Sequence, residues 1–307
     1  MTISAFPKIW HLGTPQTERL FNGPVEISEK IDGSQFVFHI NSPSEILMRS
    51  KGAMIQEDTQ DNLFKPVVDW VQSKKGSEMA YNFQGYTFWG ETLCKPRHNI
   101  LAYDRVPKNN FVLFGATNRG RKHSDHTGLR YLASYLDCDV VPLIFQGEVN
   151  SGTVLEFVNG LLQQDSYLGG QKIEGVVIKN YSEQLLIGGQ FLPLVAGKYV
   201  SEAFKEKHKK DWVTTGDVIR DMQLQFKTPA RWLKTVQHLR ERGELTNSPK
   251  DIGPLLKELH VDFEEECREE VKEMLYNHYR KDFLRTLTGG FPEFYKQHLV
   301  ENMNATG

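Results

Sequence analysis

The fold of this chain is decided by a short stretch near its beginning, Ser28-Glu29-Lys30-Ile31-Asp32-Gly33-Ser34-Gln35-Phe36. Lys30 stands two residues before an Asp-Gly pair, and aromatic and β-branched residues over 35–40 predict a strand directly afterwards. In the simplest interpretation, Asp32-Gly33 is a β-turn and Lys30 is a surface charge. In a second interpretation, Gly33 lets the backbone approach a bound molecule closely and Lys30 is a nucleophile. The second interpretation requires burial or other cations near Lys30, because a free lysine amine with a pKa of about 10.4 is protonated at neutral pH.

Short β-rich segments recur on the C-terminal side of this stretch, and helical segments separate only some of them. Turn residues bound predicted strands at 86–89, 110–115, 175–179, 184–187 and 191–195. Helices are predicted at 61–73, 128–136 and 154–163. Because the strands do not alternate strictly with helices, the pattern indicates an α+β fold with mainly antiparallel sheets and flanking helices.

The pattern becomes helical after residue 211. Apolar residues repeat with the helical period over 229–242, and Asn247-Ser248-Pro249 predicts the start of a helix over 250–259. The segment 262–287 carries acidic residues early and basic residues late, which suits the helix dipole. We therefore predict two domains, an α+β domain at 1–212 and a small all-α domain at 213–307. The lysine-rich run 205–210 at their junction is either a solvated linker or a phosphate-facing segment.

Composition excludes several classes of protein. The chain has 307 residues, 39% of them hydrophobic, and no apolar run approaches the about 20 residues that span a bilayer. No signal peptide is evident, and the three cysteines form no C-x-x-C pair, so we expect a cytoplasmic protein without a disulfide framework or zinc ribbon. The net charge of −2 means that a polyanionic partner would need a local basic cleft.

Five further motifs follow the Lys30 stretch in order. They are Arg49-Ser50-Lys51-Gly52, Phe88-Trp89-Gly90-Glu91, Phe111-Val112-Leu113-Phe114-Gly115, and Glu174-Gly175 continuing through Lys179, with Lys198-Tyr199-Val200 as the last element. Each alone has a structural explanation: Glu91 as a polar strand end, Phe111 as a core aromatic residue, and Glu174-Gly175 as a turn. Their conjunction and order carry the functional interpretation.

This ordered series resembles the motifs of the covalent nucleotidyltransferases, which comprise polynucleotide ligases and RNA capping enzymes. It is most similar to the phage-type RNA ligase 2 family of ATP-dependent enzymes that seal nicks in duplex RNA. The segments 6–9 and 248–256 fit that family as well. The resemblance implies an ATP-grasp-like nucleotidyltransferase domain followed by a helical domain. A helical tail is incompatible with the OB barrel of many DNA ligases and capping enzymes, which favours RNA as the substrate.

The resemblance also implies roles for the nucleotide-binding residues. Lys30 attacks the α-phosphorus of ATP and forms lysyl-AMP, with Glu29 and Ile31 beside it in the cofactor-binding set. Phe111 stacks on the adenine, and Phe114 is the alternative if the strand register differs.

Further roles concern the ribose, the phosphates and the metal. Glu91 accepts a hydrogen bond from the ribose, and Arg49 orients the nucleotide. Glu174 engages Mg²⁺, for which Mn²⁺ can substitute, while Lys179 and Lys198 neutralise charge on the α-phosphate. AMP then passes to a 5′-phosphate of RNA, and a 3′-hydroxyl displaces it. The expected partner is nicked duplex RNA, the expected state is a monomer, and a viral origin fits the family.

The last motif departs from the family. Relatives carry a second lysine where this chain has Val200, so Lys205 or Lys207 is a candidate replacement. Two alternatives stay open on the sequence alone: a non-catalytic protein that binds RNA ends, and an RNA capping guanylyltransferase that uses GTP.

Overall fold

The computed structural model describes residues 3–119, 123–149, 153–187, 190–200 and 218–305. The predicted domain boundary at 212 and 213 lies outside these residues. In the described residues before it, two larger sheets carry flanking helices, and the described residues after it are helical. The α+β fold class predicted from the sequence is confirmed.

The elements follow one another in this order. The first part of the chain contains β1 (Trp10–His11), β2 (Val25–Lys30), β3 (Ser34–Ser42), β4 (Glu45–Ser50), β5 (Met54–Ile55), α1 (Lys65–Gln72), α2 (Glu78–Asn82), β6 (Tyr86–Thr92) and β7 (Phe111–Asn118). It continues with α3 (His126–Leu136), β8 (Asp139–Val140), β9 (Leu143–Gly147), α4 (Val154–Leu161), β10 (Gly175–Asn180), β11 (Leu185–Ile187), β12 (Gln190–Leu192) and β13 (Val195–Val200). The helical part contains α5 (Val218–Gln225), α6 (Pro229–Glu241), α7 (Ile252–Thr288) and α8 (Phe291–Ala305).

The strands form two main sheets and a small hairpin. Sheet 1 has the order β1-β13-β10-β2-β9, and sheet 2 has the order β5-β4-β3-β6-β7-β8, with β11 and β12 paired apart from both. Pairing is antiparallel except between β1 and β13 and between β7 and β8. In sheet 2 most adjacent strands also follow one another in sequence, as in hairpin-built antiparallel sheets, whereas sheet 1 pairs strands that are not consecutive in the chain.

Residue alternation along β2 and β3 decides which side chains meet between the sheets. On β2, Val25 and Ile27 pack into the core of sheet 1, so the alternate residues Ser28 and Lys30 lie on the opposite face. On β3, the phenylalanines at 36 and 38 pack against α1 and α2, which leaves Gln35 on the other face of sheet 2. The polar residues Ser28, Lys30 and Gln35 therefore line a cavity between the two sheets.

Two predicted elements need correction. The predicted strand 191–195 spans a break, because β12 ends at Leu192 and β13 begins at Val195. The two helices predicted over 250–259 and 262–287 are one continuous helix, α7. Asp262 lies inside this helix and not at the start of a second one. Its buried carboxylate lies 2.6 Å from Arg231 and 2.7 Å from Lys234.

The expected N-terminal signal of this helix is confirmed. Ser248 and Asp251 form a reciprocal capping box around the turn Pro249–Asp251 that leads into α7. Among the helices of the described residues, none is both long enough and apolar enough to cross a membrane.

Candidate active site

The site is organised around an ion pair between Lys30 and Glu174. Strand β10 pairs with β2 so that Gly175 lies opposite Lys30, and this register brings the preceding Glu174 beside the amine. Lys30 Nζ lies 2.8 Å from Oε1 and 2.7 Å from Oε2 of Glu174. Burial alone would lower the pKa of Lys30, but the Glu174 carboxylate raises it above its ordinary value. Without a ligand, Lys30 is therefore an ammonium group held by Glu174.

Two cavities meet at Lys30. The larger one has a volume of about 640 Å³ and includes Glu91, Glu174 and Lys198 on its wall. The smaller one, of about 80 Å³, lies between the two sheets and shares Lys30, Glu91 and Lys198 with it. The structure therefore brings the predicted residues of four separate strands or strand ends to one place.

Glu91 is a buried carboxyl group in this arrangement. It lies at the end of β6, opposite Gln35 of β3. Burial raises its pKa to about 8, with Lys30 opposing the rise and the carboxylates of Glu241 and Glu174 adding to it. At neutral pH the Glu91 carboxyl is therefore mostly protonated, and it can donate as well as accept a hydrogen bond.

Lys179 lies on the wall of the smaller cavity, which Lys30 also lines. Its amine donates to the backbone oxygen of Phe114 and lies 5.3 Å from the ring centre of Phe6 and 5.5 Å from that of Phe114. Burial lowers the pKa of Lys179 to about 8, and Glu26 opposes this only in part. An anionic ligand in the cavity would stabilise the charged form of this amine.

The structure corrects the prediction that Phe111 stacks on a base. Phe111 has no exposed surface and packs on the outer face of sheet 2, with ring centres 5.7 Å from Phe38 and 5.4 Å from Trp70. It also presses on Gly90, where an added Cβ would lie 2.2 Å from the Phe111 ring. Phe114, the alternative, lines the smaller cavity instead.

Arg49 is likewise placed away from the cavities. Its guanidinium donates to the backbone oxygen of Ile3 at 2.7 Å, of Ser50 at 2.9 Å and of Lys51 at 3.0 Å. These contacts join β4 to the N-terminal segment. In this geometry Arg49 holds the backbone and lines neither cavity, and its contact with a nucleotide stays a prediction.

The two neighbours of Lys30 also line the smaller cavity. The Glu29 carboxylate accepts hydrogen bonds from the Ser166 hydroxyl at 2.5 Å and the Tyr167 backbone N–H at 3.1 Å. Burial raises the Glu29 pKa, and these two bonds oppose the rise. Ile31 is buried in a small apolar cluster beside the cavity. The structure thus brings both predicted residues to the cavity that contains Lys30, with the Glu29 carboxylate bonded to the segment at 166 and 167.

Lys198 lines both cavities from β13, where it lies opposite Val177 of β10. Val200, the departure from the family motif, pairs with Gly175 and lies on the wall of the larger cavity. The candidate replacements Lys205 and Lys207 lie outside the described residues.

The helical wall of the larger cavity was not predicted from the sequence. Residues of α6 and α7 close one side of it, and Gln237 Nε2 donates to the Gly33 backbone oxygen at 3.2 Å. Lys8, Lys51 and Lys234 also line this cavity. Of these, Lys51 stands in a predicted motif, two residues from Arg49, and Lys8 lies in the segment 6–9, whereas Lys234 belongs to no predicted motif.

Asp32 has a structural part in the site. One oxygen of its carboxylate accepts the backbone N–H groups of Ile100 at 2.8 Å and Leu101 at 2.7 Å. Its own backbone N–H donates to the Tyr103 hydroxyl at 2.9 Å. The Asp-Gly turn thus fixes the loop that follows β6.

Comparisons with known proteins agree with this geometry. The family model described as RNA ligase matches residues 23–200, which is more than half of the chain. A search of curated proteins gave no match.

Solved structures with a similar fold include an RNA ligase from Naegleria gruberi with PPi. It has a TM-score of 0.50 and 16% sequence identity, over 66% of this chain and 58% of that one. A variant of the same ligase with ATP and Mn also has a TM-score of 0.50 and 16% identity, over 68% of this chain and 59% of that one. The chain thus spans less than two thirds of the length of these structures, and the likeness concerns the fold.

Proposed function

This chain belongs to the RNA ligase family, and from that premise we propose that it joins RNA ends in an ATP-dependent reaction through AMP bonded to Lys30. The observation that carries the proposal is the partly buried Lys30–Glu174 pair in a cavity that also holds Glu91 and Lys198, with Lys179 on the wall of the adjoining smaller cavity. A helical region after the sheets, in place of a β-barrel, supports the RNA ligase 2 type.

In the first step, Lys30 Nζ attacks the α-phosphorus of ATP, a P–N bond forms, and pyrophosphate leaves. The amine must first lose a proton, and its pairing with Glu174 opposes that loss. The ammonium groups of Lys179 and Lys198 line the same cavity and favour the neutral form of Lys30 once Glu174 is engaged elsewhere.

A divalent metal fits this arrangement when the nucleotide supplies most of its ligands. Within the residues that the structure describes, no group of three or more His, Cys, Asp or Glu side chains is arranged to hold a metal ion. Mg²⁺ is commonly held by one or two carboxylates together with substrate phosphates, and Glu174 would be that carboxylate. Bound there, the metal would spread the negative charge of the phosphates.

The nucleoside is proposed to lie where the two cavities meet, with its base directed toward the smaller one. Phe114 and the apolar residues Val141 and Val177 line it and would contact the base. Glu91, at the boundary of both cavities, would bond the ribose. Lys179 and Lys198 would lie near the α-phosphate.

In the later steps, AMP moves from Lys30 to a 5′-phosphate of RNA and gives a 5′–5′ pyrophosphate. A neighbouring 3′-hydroxyl then displaces AMP and closes the phosphodiester. The proposed substrate is nicked duplex RNA, the biological role is RNA repair, and the helical region 213–307 is proposed to dock the RNA.

The proposal is tested by incubation with α-labelled ATP and magnesium, followed by a denaturing gel. Label should stay on the wild type and on Lys172→Ala, whose lysine is exposed on the surface in a pair with Asp165, and it should be absent from Lys30→Ala. Labelling of Lys30→Ala would contradict the assignment of the nucleophile. Labelling by GTP in place of ATP would favour an RNA capping enzyme.

A further inference from the structure

The carboxylate of Glu266, on helix α7, lies among four lysines. The lysines come from four separate segments of the chain: Lys8, Lys51, Lys198 and Lys234. All four, with Glu266, line the larger cavity that contains Lys30. The cluster therefore belongs to the same space as the proposed nucleophile, although Lys234 and Glu266 lie outside the predicted motifs.

The electrostatic environment of Glu266 is strongly positive. Its Oε2 lies 3.9 Å from Lys198 Nζ and its Oε1 lies 3.9 Å from Lys234 Nζ. Burial would raise the pKa of Glu266, but Lys198 and Lys234, with smaller contributions from Lys8 and Lys51, lower it to about 2. Glu266 is therefore an anion throughout the neutral pH range.

The two lysines nearest to Glu266 lie too far from its carboxylate to form direct hydrogen bonds with it. A separation of 3.9 Å exceeds the hydrogen-bond range for both lysines. Other contacts of these lysines include those of Lys8 with the Glu265 backbone oxygen at 2.6 Å, Lys234 with Asp262 at 2.7 Å, and Lys51 with His238 Nε2 at 3.5 Å. One carboxylate thus lies between ammonium groups that a larger anion could contact more closely.

We propose that this lysine cluster is a binding site for a phosphate group and that the Glu266 carboxylate fills it when no phosphate is bound. A terminal phosphate carries nearly two negative charges and three acceptor oxygens, against one charge and two oxygens for a carboxylate. Lysine ammonium groups bind phosphate as point charges. A phosphate in the cluster must displace Glu266, so helix α7 competes with the ligand for the same cations.

Two ligands share this chemistry. One is the pyrophosphate portion of a nucleotide, and the other is the 5′-phosphate of an RNA strand. The choice of these two rests on the proposed function, whereas the site itself rests on the geometry of the lysines and Glu266.

The decisive variant is Glu266→Gln, which keeps the size of the side chain and removes its charge. If Glu266 competes with phosphate, inorganic pyrophosphate should bind this variant about tenfold more tightly, which corresponds to about 1.4 kcal/mol. If Glu266 only holds α7 in place, pyrophosphate should bind equally well or more weakly. Titration calorimetry without ATP or RNA distinguishes the two, and equal or weaker binding overturns the proposal.

Lys51→Gln tests the same site from the opposite side. Lys51 lies in an exposed turn after β4, so its replacement should leave the fold intact. Pyrophosphate binding should weaken about threefold or more, because a phosphate-contacting cation is lost. Glu273→Gln and Lys257→Gln, both at exposed positions of α7, are the matched controls and should bind like the wild type. Unchanged binding by Lys51→Gln also counts against the site.

A second pair of titrations distinguishes the two possible sources of the phosphate, the nucleotide and the RNA end. Single-stranded RNA with a 5′-phosphate is compared with the same RNA ending in a 5′-hydroxyl. A gain by Glu266→Gln that is confined to 5′-phosphate RNA assigns the site to the RNA end, and a gain confined to pyrophosphate assigns it to the nucleotide. A gain with neither ligand overturns the proposal.

These measurements do not require the Lys30 chemistry, so they are repeated in the Lys30→Ala background. If ATP fails to label Lys30 but Glu266→Gln still tightens binding, the proposed function fails and the phosphate site stands. The reverse outcome removes only the phosphate site.

Discussion

Replacing Glu174 by glutamine is expected to lower the pKa of Lys30 and make its amine more reactive. The Lys30 amine contacts both oxygens of Glu174, at 2.8 and 2.7 Å, and its side chain is 28% exposed. A hydrogen bond to a charged group is worth about 1.5–3 kcal/mol, and the partial exposure of Lys30 favours the lower end of that range. A loss of about 1.5 kcal/mol corresponds to about a tenfold larger fraction of neutral amine at a given pH.

The assay is acetylation of the ligand-free protein at several pH values, with the modified lysines located by peptide mass spectrometry. The rate at Lys30 should rise about tenfold in Glu174→Gln below the pKa of the wild-type amine. The measurement needs neither ATP nor metal, so it isolates the ion pair from the chemistry of adenylylation.

A matched control is available on the surface. Lys172 and Asp165 are also 2.8 Å apart, but their side chains are 58% and 78% exposed. Solvent screens such a pair, so Asp165→Asn should leave the acetylation of Lys172 almost unchanged. If Glu174→Gln leaves the Lys30 rate unchanged as well, the pair does not hold the amine in its charged form, and the reasoning is refuted.

Three other substitutions test the placement and the energetics of the site. Phe114→Ala should weaken ATP binding about tenfold, because stacking on a base is worth about 1–3 kcal/mol. Phe111→Leu should instead lower the unfolding free energy by about 1–3 kcal/mol and leave ATP binding unchanged. Equal losses of ATP affinity in titrations of the two variants would contradict these different roles. Asp262→Asn breaks a buried pair with Arg231 at 2.6 Å and should cost about 3–5 kcal/mol in urea unfolding, so a cost below about 1 kcal/mol would show that the pair is not needed. The folded-state pKa of Glu91, about 8, lies above its ordinary value of 4.5, so the wild type should lose stability as the pH rises from 4.5 to 8. Glu91→Gln should show a flatter profile of melting temperature against pH. Parallel profiles of the two proteins would argue against a raised pKa of Glu91.

Sequence reasoning located β3, β6, β7 and β10 because their signals are local, but β2, which carries Lys30, was not among the predicted strands. Alternation along β2 places Lys30 on the face opposite Val25 and Ile27, and turn residues mark both ends of the stretch. The ordered motifs indicated that Glu91 and Glu174 lie near Lys30, and the structure brings these residues to the same cavity. Their chemical roles stay predictions.

The choice between Phe111 and Phe114 could not be made in this way. The pairing of β6 with β7 shifts between Trp89 and Gly90, where Trp89 lies opposite Gly115 and Gly90 opposite Leu113. This irregularity leaves Phe114 outside the regular pairing. A one-residue shift moves side chains to the opposite face, and a sequence pattern alone does not fix its position.

The helical wall of the larger cavity was missed for another reason. The apolar stripe of α6 predicts a helix but says nothing about what its polar face contacts. Gln237 and the cluster around Glu266 acquire their meaning only from tertiary packing, across about 200 residues between Gln237 and Gly33. Charged residues on helices are ordinarily solvated, so the sequence offers no reason to select these.

The contacts that attach the helices to the sheets bear on how the larger cavity could open. Gln237 reaches the Gly33 backbone oxygen at 3.2 Å, and Lys8 reaches the Glu265 backbone oxygen at 2.6 Å. Individual hydrogen bonds of this kind contribute about 1 kcal/mol, or somewhat more when a charge takes part. The contacts of Lys198 with Glu266 and of Lys51 with His238 cross the same boundary. Opening the larger cavity on its helical side would therefore break several individually weak contacts together.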